Sequence, residues 1–317
     1  MSKLLEKILK AAIMSHLTEN SLLRSSQHGF MSKKSCLTNL LHSMEEVTNI
    51  LDDGDCADIL YLDFAKAFDK VQHRRLLSKL EALNIKGQVL DWIKAWLTDR
   101  KHRVVLNGQH SDWSAVPCSV PQGSVLGPPL FIIYGDDMDK CIDGITALLL
   151  KFTDDTKVIK RISSRTDNIG LQDIIQNLLV WAKEWQMSFN IDNCKIMHLG
   201  TNNPRFTYSM DGVALKAVLN EKDLGVIMEQ SAKPSLQCAK AAQKANQVLG
   251  QLLRSFKCRD KVVMTQLYKV FVRPHLEYAV QAWCPYTIKD IESLEKVQKR
   301  FVRQITALTG DKLSKIS

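Results

Sequence analysis

The chain has 317 residues, 45% of them hydrophobic, and a formal net charge of +9, enough for a sizeable buried core in two structural parts. No run approaches the ~18 apolar residues of a membrane span, and the start, MSKLLEKILKAAIM, is broken by charges where a signal peptide is uniformly apolar; the eight cysteines lie at least 20 residues apart with no CxxC, which excludes a disulfide framework and a zinc site. The expectation is a protein of the nucleus or cytoplasm, not secreted and with no membrane partner, whose charge excess lies in residues 201–317, where 19 Lys+Arg face 10 Asp+Glu, a surplus that suits a polyanion.

Residues 3–17 set Leu4, Leu5, Ile8, Leu9, Ala12 and Ile13 among lysines, the pattern of an amphipathic helix. A polar loop, SSQHGFMSKKSC (25–36), leads into a second helix from about Thr38 to Leu51. An apolar strand, Ile59 to Leu62, ends at Asp63; helical patterns follow with Leu76, Leu77, Leu80 and Leu83, then from Val89 to Leu97, where Trp92 and Trp96 read as packing. Residues 102–118 read as a hairpin. SVPQGSVLGPPLFIIY (119–134) reads as a loop feeding an apolar helix, and its Gly123 and Gly127 leave room for a nucleotide against the backbone.

Residues 147–160, ALLLKFTDDTKVIK, form a second hairpin with Asp154 and Asp155 at its tip. A helix over 167–185 follows, then short strands in SFN and KIMHLG and others up to Met228, turning at Asp211-Gly212. Beyond Pro234 the pattern is helical, with the second of three helices breaking or kinking at Pro274. A boundary near residue 233 sets residues 1–233 apart from a basic helical part, 234–317, whose last helix turns Lys296, Lys299, Arg300 and Arg303 away from its apolar side.

Two adjacent carboxylates repel, and an isolated Asp-Asp in a turn is ordinarily plain surface. Here a third carboxylate, Asp63, ends another strand, while Asp69, six residues on, projects from a different part of the element and is the weaker candidate. Hard oxygen ligands on separate strands suit two divalent cations ~3.5–4 Å apart, one activating a primer 3′-hydroxyl and the other clamping a triphosphate. With the PQG loop at 121–123, the set points to templated nucleotidyl transfer.

Seven blocks carry a resemblance: QHGF (27–30), YLDFAKAFDKV (61–71), VPQGSVLGP (120–128), FTDDTK (152–157), FNIDNCKIMHLG (189–200), KDLGVIM (222–228) and RPHLEYAVQAW (273–283). In this order the sequence resembles the reverse transcriptase of jockey-like retrotransposons, the kind without long terminal repeats. The resemblance implies an α+β right-hand polymerase fold, with fingers and an antiparallel palm sheet in residues 1–233 and a helical thumb in 234–317. It implies an RNA-directed DNA polymerase that takes an RNA template, a DNA primer and deoxynucleoside triphosphates, with two Mg²⁺ or Mn²⁺ ions as cofactors. Asp63 and Asp154 would bridge both ions, with Asp155 assisting. Phe64, Phe68, Gln122, Gly123 and Lys195 would contact substrate: Phe68 by excluding a ribose 2′-hydroxyl, Gln122 and Gly123 by shaping the nascent base-pair pocket, Lys195 near the triphosphate.

The sequence departs from that family at Thr153, where alanine is usual, at Ser119, where glycine is usual, and at Pro129, where leucine is usual; a proline beyond a helix's first turn costs ~3 kcal/mol. The match begins inside the fingers, without the family's preceding segment or its endonuclease, as in a truncated copy. Two rival readings exist. YGDD (134–137) is the metal-site tetrapeptide of many RNA-dependent RNA polymerases, but Asp136 lies 13 residues after Gly123, an interval that one helix uses up, whereas Asp154 leaves room for a helix and a returning strand. The other rival is an inactive relic, or a recruited nucleic-acid-binding protein, with the same fold.

Overall fold

Two helices open the chain, α1 (Ser2–Glu19) and α2 (Cys36–Asp52), in the computed structural model, which describes residues 2–256 and 260–309. α2 begins at a reciprocal cap: the Thr38 N–H donates to Ser35 Oγ at 3.3 Å and the Ser35 N–H to Thr38 Oγ1 at 2.9 Å, satisfying donors that a helix start leaves over. α1 buries a different face from the one its periodicity predicts. Ile13 and Leu17 reach the core while Leu4, Leu5 and Ile8 are exposed, because the residue buried near its start is Glu6. The Glu6 carboxylate accepts the Val125 N–H at 2.8 Å, just ahead of a later helix.

β1 (Cys56–Leu62) leads to α3 (His73–Ala82) and α4 (Gln88–Leu97). Four two-residue strands follow, β2 (Lys101–His102), β3 (Val105–Leu106), β4 (Gln109–His110) and β5 (Ser114–Ala115), all exposed and paired as β2 with β5 and β3 with β4, so the expected hairpin is two short ladders. Next come α5 (Gly127–Gly135), β6 (Leu148–Phe152), β7 (Asp155–Ile162), α6 (Arg165–Glu184), β8 (Lys195–Leu199), β9 (Ser209–Met210), β10 (Val213–Ala214) and β11 (Lys216–Ala217). Pro129 is harmless: Gly127, Pro128 and Pro129 are the first three residues of α5, where no N–H has an intrahelical partner and the interior-proline penalty does not apply.

The main sheet has the order β11-β8-β1-β7-β6, antiparallel except where β11 joins β8. β1 is its centre, and Ala57, Ile59 and Leu60 are fully buried, which is why this strand reads as a continuous apolar run and not as an alternation. One polar residue interrupts that run. Asp58 is fully buried, and the register sets it opposite His198; its Oδ1 meets His198 Nδ1 at 2.7 Å and accepts Asn203 Nδ2 at 2.8 Å, while its Oδ2 accepts the Tyr208 hydroxyl at 2.6 Å. Tyr208→Phe leaves Oδ2 without that donor and should cost about 1–3 kcal/mol of stability. A denaturant melt of the variant that overlays the parent curve would disprove the assignment of this network as a structural anchor.

Residues 1–218 form one compact unit and 219–317 another. The division therefore falls fifteen residues earlier than the expected boundary near 233, because the hairpin of β12 (Asn220–Asp223) and β13 (Val226–Glu229) joins the helices that follow it. The Ile227 N–H donates to Gln237 Oε1 at 3.0 Å, in α7 (Ser235–Ser255). α8 (Lys261–Leu267) passes through a π turn at Tyr268–Val272 into α9 (Arg273–Glu277), so the helix is interrupted just before Pro274, as its sequence predicts. α10 (Ile288–Thr309) completes the unit, whose core includes Ala245, Leu249, Val272 and Val297, with Tyr268 stacked on Phe301 at 4.1 Å. No helix among the described residues is long and apolar enough to cross a membrane, and the described cysteines are free.

Candidate active site

Strand register gathers the carboxylates at one end of the main sheet. β1 pairs with β7 up to Leu62↔Thr156, so Asp63 and Asp155 stand next in line on neighbouring strands. β6 and β7 close at Phe152↔Asp155, leaving Thr153-Asp154 as a two-residue turn beside them. Asp63 and Asp154 are half-buried and Asp155 is exposed. Burial pushes the Asp154 carboxyl above the usual carboxylate range, and the charge of Asp63 pushes it further. Asp63 itself is held by two amides: Asn190 Nδ2 and Asn193 Nδ2 donate to its Oδ2 at 3.1 and 2.8 Å, while its backbone carbonyl accepts the Asn190 N–H at 2.8 Å.

Among the described residues, no three His, Cys, Asp or Glu side chains are drawn together as metal ligands. The donor chemistry nonetheless fits a hard divalent cation. Both amide bonds fall on Oδ2 of Asp63, leaving Oδ1 without a partner among the described residues, and the repulsion between Asp63 and Asp154 is the kind a cation relieves.

The Asp154 turn is held from outside the sheet. Thr153 sits at φ 60°, a left-handed conformation that a β-branched residue adopts only under constraint. The constraint comes from the QHGF segment. Gln27, 3% exposed, places its Oε1 to accept the Gly29 N–H at 2.7 Å and the Thr153 N–H at 3.0 Å. The same segment bridges β6 in parallel at Lys151, whose N–H donates to the Ser26 carbonyl at 2.9 Å and whose carbonyl accepts the His28 N–H at 2.9 Å and Asn39 Nδ2 at 3.2 Å. Sequence reasoning missed Gln27, Asn190 and Asn193 as individuals. Their signal was membership of two of the quoted blocks, each beside a carboxylate only in the folded chain.

The other expected substrate residues divide. Phe64 is 6% exposed and its ring stacks on Phe189 at 4.7 Å, a core position. Phe68 is half-buried and stacks on Phe131 at 4.6 Å. Gln122 and Gly123 lie on an exposed turn, where Gly123 has φ +80° and nothing within 4 Å of a built Cβ. Lys195, half-buried, begins β8 opposite Tyr61. Asp69 is exposed.

Residues 1–269 match the reverse transcriptase (RNA-dependent DNA polymerase) family. The chain belongs to that family. It is 26% identical to the RNA-directed DNA polymerase from mobile element jockey of Drosophila funebris, over 96% of this chain and 34% of the relative. It is 24% identical to the probable RNA-directed DNA polymerase from transposon BS of Drosophila melanogaster, over 96% of this chain and 35% of that one. The chain thus spans about a third of the length of these curated relatives. A solved structure of apo telomerase from Candida tropicalis matches 95% of this chain and 50% of its own with a TM-score of 0.54 at 11% identity. The fold class is accordingly the expected α+β right-hand polymerase fold.

In this member of the family the second Asp-Asp pair is engaged in bracing. Asp136 opens a 3₁₀ turn after α5, and its Oδ1 accepts the Arg24 N–H at 2.9 Å. Asp137 Oδ1 accepts Lys79 Nζ at 2.6 Å, from α3, and Trp181 Nε1 at 2.9 Å, from α6. Asp139 pairs with Lys151 of β6. Burial pulls the Lys79 ammonium down to about 8, against the opposing pull of Asp137.

Proposed function

We propose that this chain extends a DNA primer on an RNA template by nucleotidyl transfer, in the manner of a non-LTR retrotransposon reverse transcriptase. The observation that carries the reading is the convergence of Asp63 and Asp154 at one end of the sheet, with Asp154 held above its usual range by burial and by Asp63. Bound by Asp63 and Asp154 with Asp155 assisting, two Mg²⁺ or Mn²⁺ ions would supply activation of the primer 3′-hydroxyl and neutralisation of the triphosphate. The chain's own residues do the rest. Asn190 and Asn193 orient the Asp63 carboxylate and Gln27 fixes the Asp154 turn, the preorganisation such chemistry needs.

Gln122 and Gly123 face the nascent pair, and Lys195 serves the triphosphate. Residues 234–317 act as the thumb, gripping template-primer phosphates through Lys296, Lys299, Arg300 and Arg303. Lys296 and Lys299 are paired with Glu292 and Glu295 at 3.4 and 2.7 Å; exposed pairs at this spacing are worth only ~0.3–0.5 kcal/mol and yield readily to phosphate. The test is primer extension by the purified protein on an RNA template with Mg²⁺ or Mn²⁺ and deoxynucleotides. A DNA product supports the reading, and its absence with binding retained favours an inactive nucleic-acid-binding relic.

Phe68 acts as the barrier to ribonucleotides, resting on Phe131 with an edge still open to solvent. Phe68→Ala should raise ribonucleotide incorporation relative to deoxynucleotide, by about tenfold or more for the loss of a steric clash. An unchanged sugar preference accompanied by a lower melting temperature would assign the ring to packing alone.

A further inference from the structure

We infer that the open groove lined by Gln72, Arg74, Arg75, Ser78, Trp185 and Gln186 is a second nucleic-acid site, which takes a nucleotide of a single strand outside the carboxylate site. The groove offers about 470 Å³, within the roughly 300–1,000 Å³ of small-ligand sites. Its lining carries two guanidiniums, an indole, two primary amides and a hydroxyl, and no carboxylate. Among the described residues neither Arg74 nor Arg75 forms an ion pair; Arg75 lies 6.0 Å from the Trp185 ring centroid. Lys79, which also approaches the Trp185 ring, is matched by Asp137 at 2.6 Å, so of these cations the arginines are the ones that keep an unmatched charge.

The indole is set in place before any ligand arrives. Lys79 Nζ lies 3.5 Å from its centroid, the Tyr134 ring meets it edge-on at 5.5 Å, and the Trp185 carbonyl accepts the Tyr134 hydroxyl. A fixed aromatic beside unpaired guanidiniums is the combination that binds a base together with its phosphate. The amides of Gln72 and Gln186 carry the adjacent donor and acceptor that base edges also carry. Both walls run into the carboxylate site along the chain: α3 follows Phe68, and Gln186 precedes the segment in which the Ser188 carbonyl accepts the Ala65 N–H at 2.9 Å. A strand occupying the groove would therefore be anchored beside the segments that carry Asp63.

The test is photocrosslinking of the full chain to a short oligouridine carrying 5-iodouracil, followed by proteolysis and mass mapping of the adducts. The expected result is an adduct on the peptide containing Trp185, reduced about tenfold or more in Arg74→Glu/Arg75→Glu and largely kept in Arg74→Lys/Arg75→Lys. A thermal melt of both double variants guards against misfolding. Excess poly-glutamate that removes the Trp185 adduct as efficiently as unlabelled oligouridine would overturn the nucleic-acid assignment, and adducts confined to other peptides would overturn the site itself. Because crosslinking reads binding alone, a Trp185 adduct on a chain that does not extend primers leaves this site standing while the catalytic reading falls.

Discussion

Replacing Asp154 by asparagine should abolish RNA-templated primer extension while template-primer binding survives. The substitution keeps the size of the side chain and removes the charge that would share a cation with Asp63; losing that transition-state stabilisation is worth about 4 kcal/mol, roughly a thousandfold in rate. Asp136→Asn should stay within a fewfold of the parent, because its Oδ1 accepts one backbone N–H, from Arg24 at 2.9 Å, which an amide oxygen can also accept. Asp137→Asn is different. It breaks the pair with Lys79 at 2.6 Å and leaves a largely buried ammonium without its counter-charge, so it should lower stability by about 3 kcal/mol or more with specific activity per folded molecule retained. Primer extension and melting curves on the three variants decide the matter. Activity lost with Asp136 and kept in Asp154→Asn would overturn the placement of the site on the β6–β7 turn.

The elements of this fold were legible where one physical signal dominated. The apolar run ending at Asp63 has the composition of a central strand, and the two apolar segments around Thr-Asp-Asp-Thr have the composition of a hairpin; both formed where expected, as β1 and as β6 with β7. Signals that depend on distant partners were not legible. Glu6 looks like part of a solvated face until Val125 meets it, and Leu4, Leu5 and Ile8 look like a buried stripe until Glu6 takes the position facing the core. Periodicity cannot weigh one buried carboxylate against three exposed aliphatics. The same limit explains the division at 218/219: β12 and β13 read as more sheet, and it is the Gln237 side chain on Ile227 and the Tyr278 hydroxyl on the Leu224 carbonyl, at 2.8 Å, that assign them to the helices. In the candidate site, the carboxylates were found from their residue type, but the amides that hold them, Gln27, Asn190 and Asn193, carry no charge and have ordinary spacing.

Those amides lead to the second large effect, Gly29→Ala. A Cβ at position 29 would lie 2.5 Å from Thr153 Oγ1 and 2.6 Å from the Thr153 backbone nitrogen, closer than atoms can approach, and one of the two is main chain that cannot swing aside. The turn must move. It carries Asp154 as its second residue, so the displacement goes directly to a carboxylate that the proposed metal chemistry needs in place, and misplacement on the order of 1 Å costs ~10²-fold in rate. Overpacking should also lower stability by about 1–3 kcal/mol. Adding Thr153→Ala removes the hydroxyl contact and leaves the nitrogen, so the double variant should recover part of the loss; alanine is also what the jockey-like family usually places there. Steady-state extension with varied deoxynucleotide separates the two effects, with kcat expected to fall and KM to change little. If Gly29→Ala melts earlier yet keeps the parent's kcat per folded molecule, the QHGF segment stabilises the sheet edge without positioning Asp154, and the link from Gln27 to the chemistry is wrong.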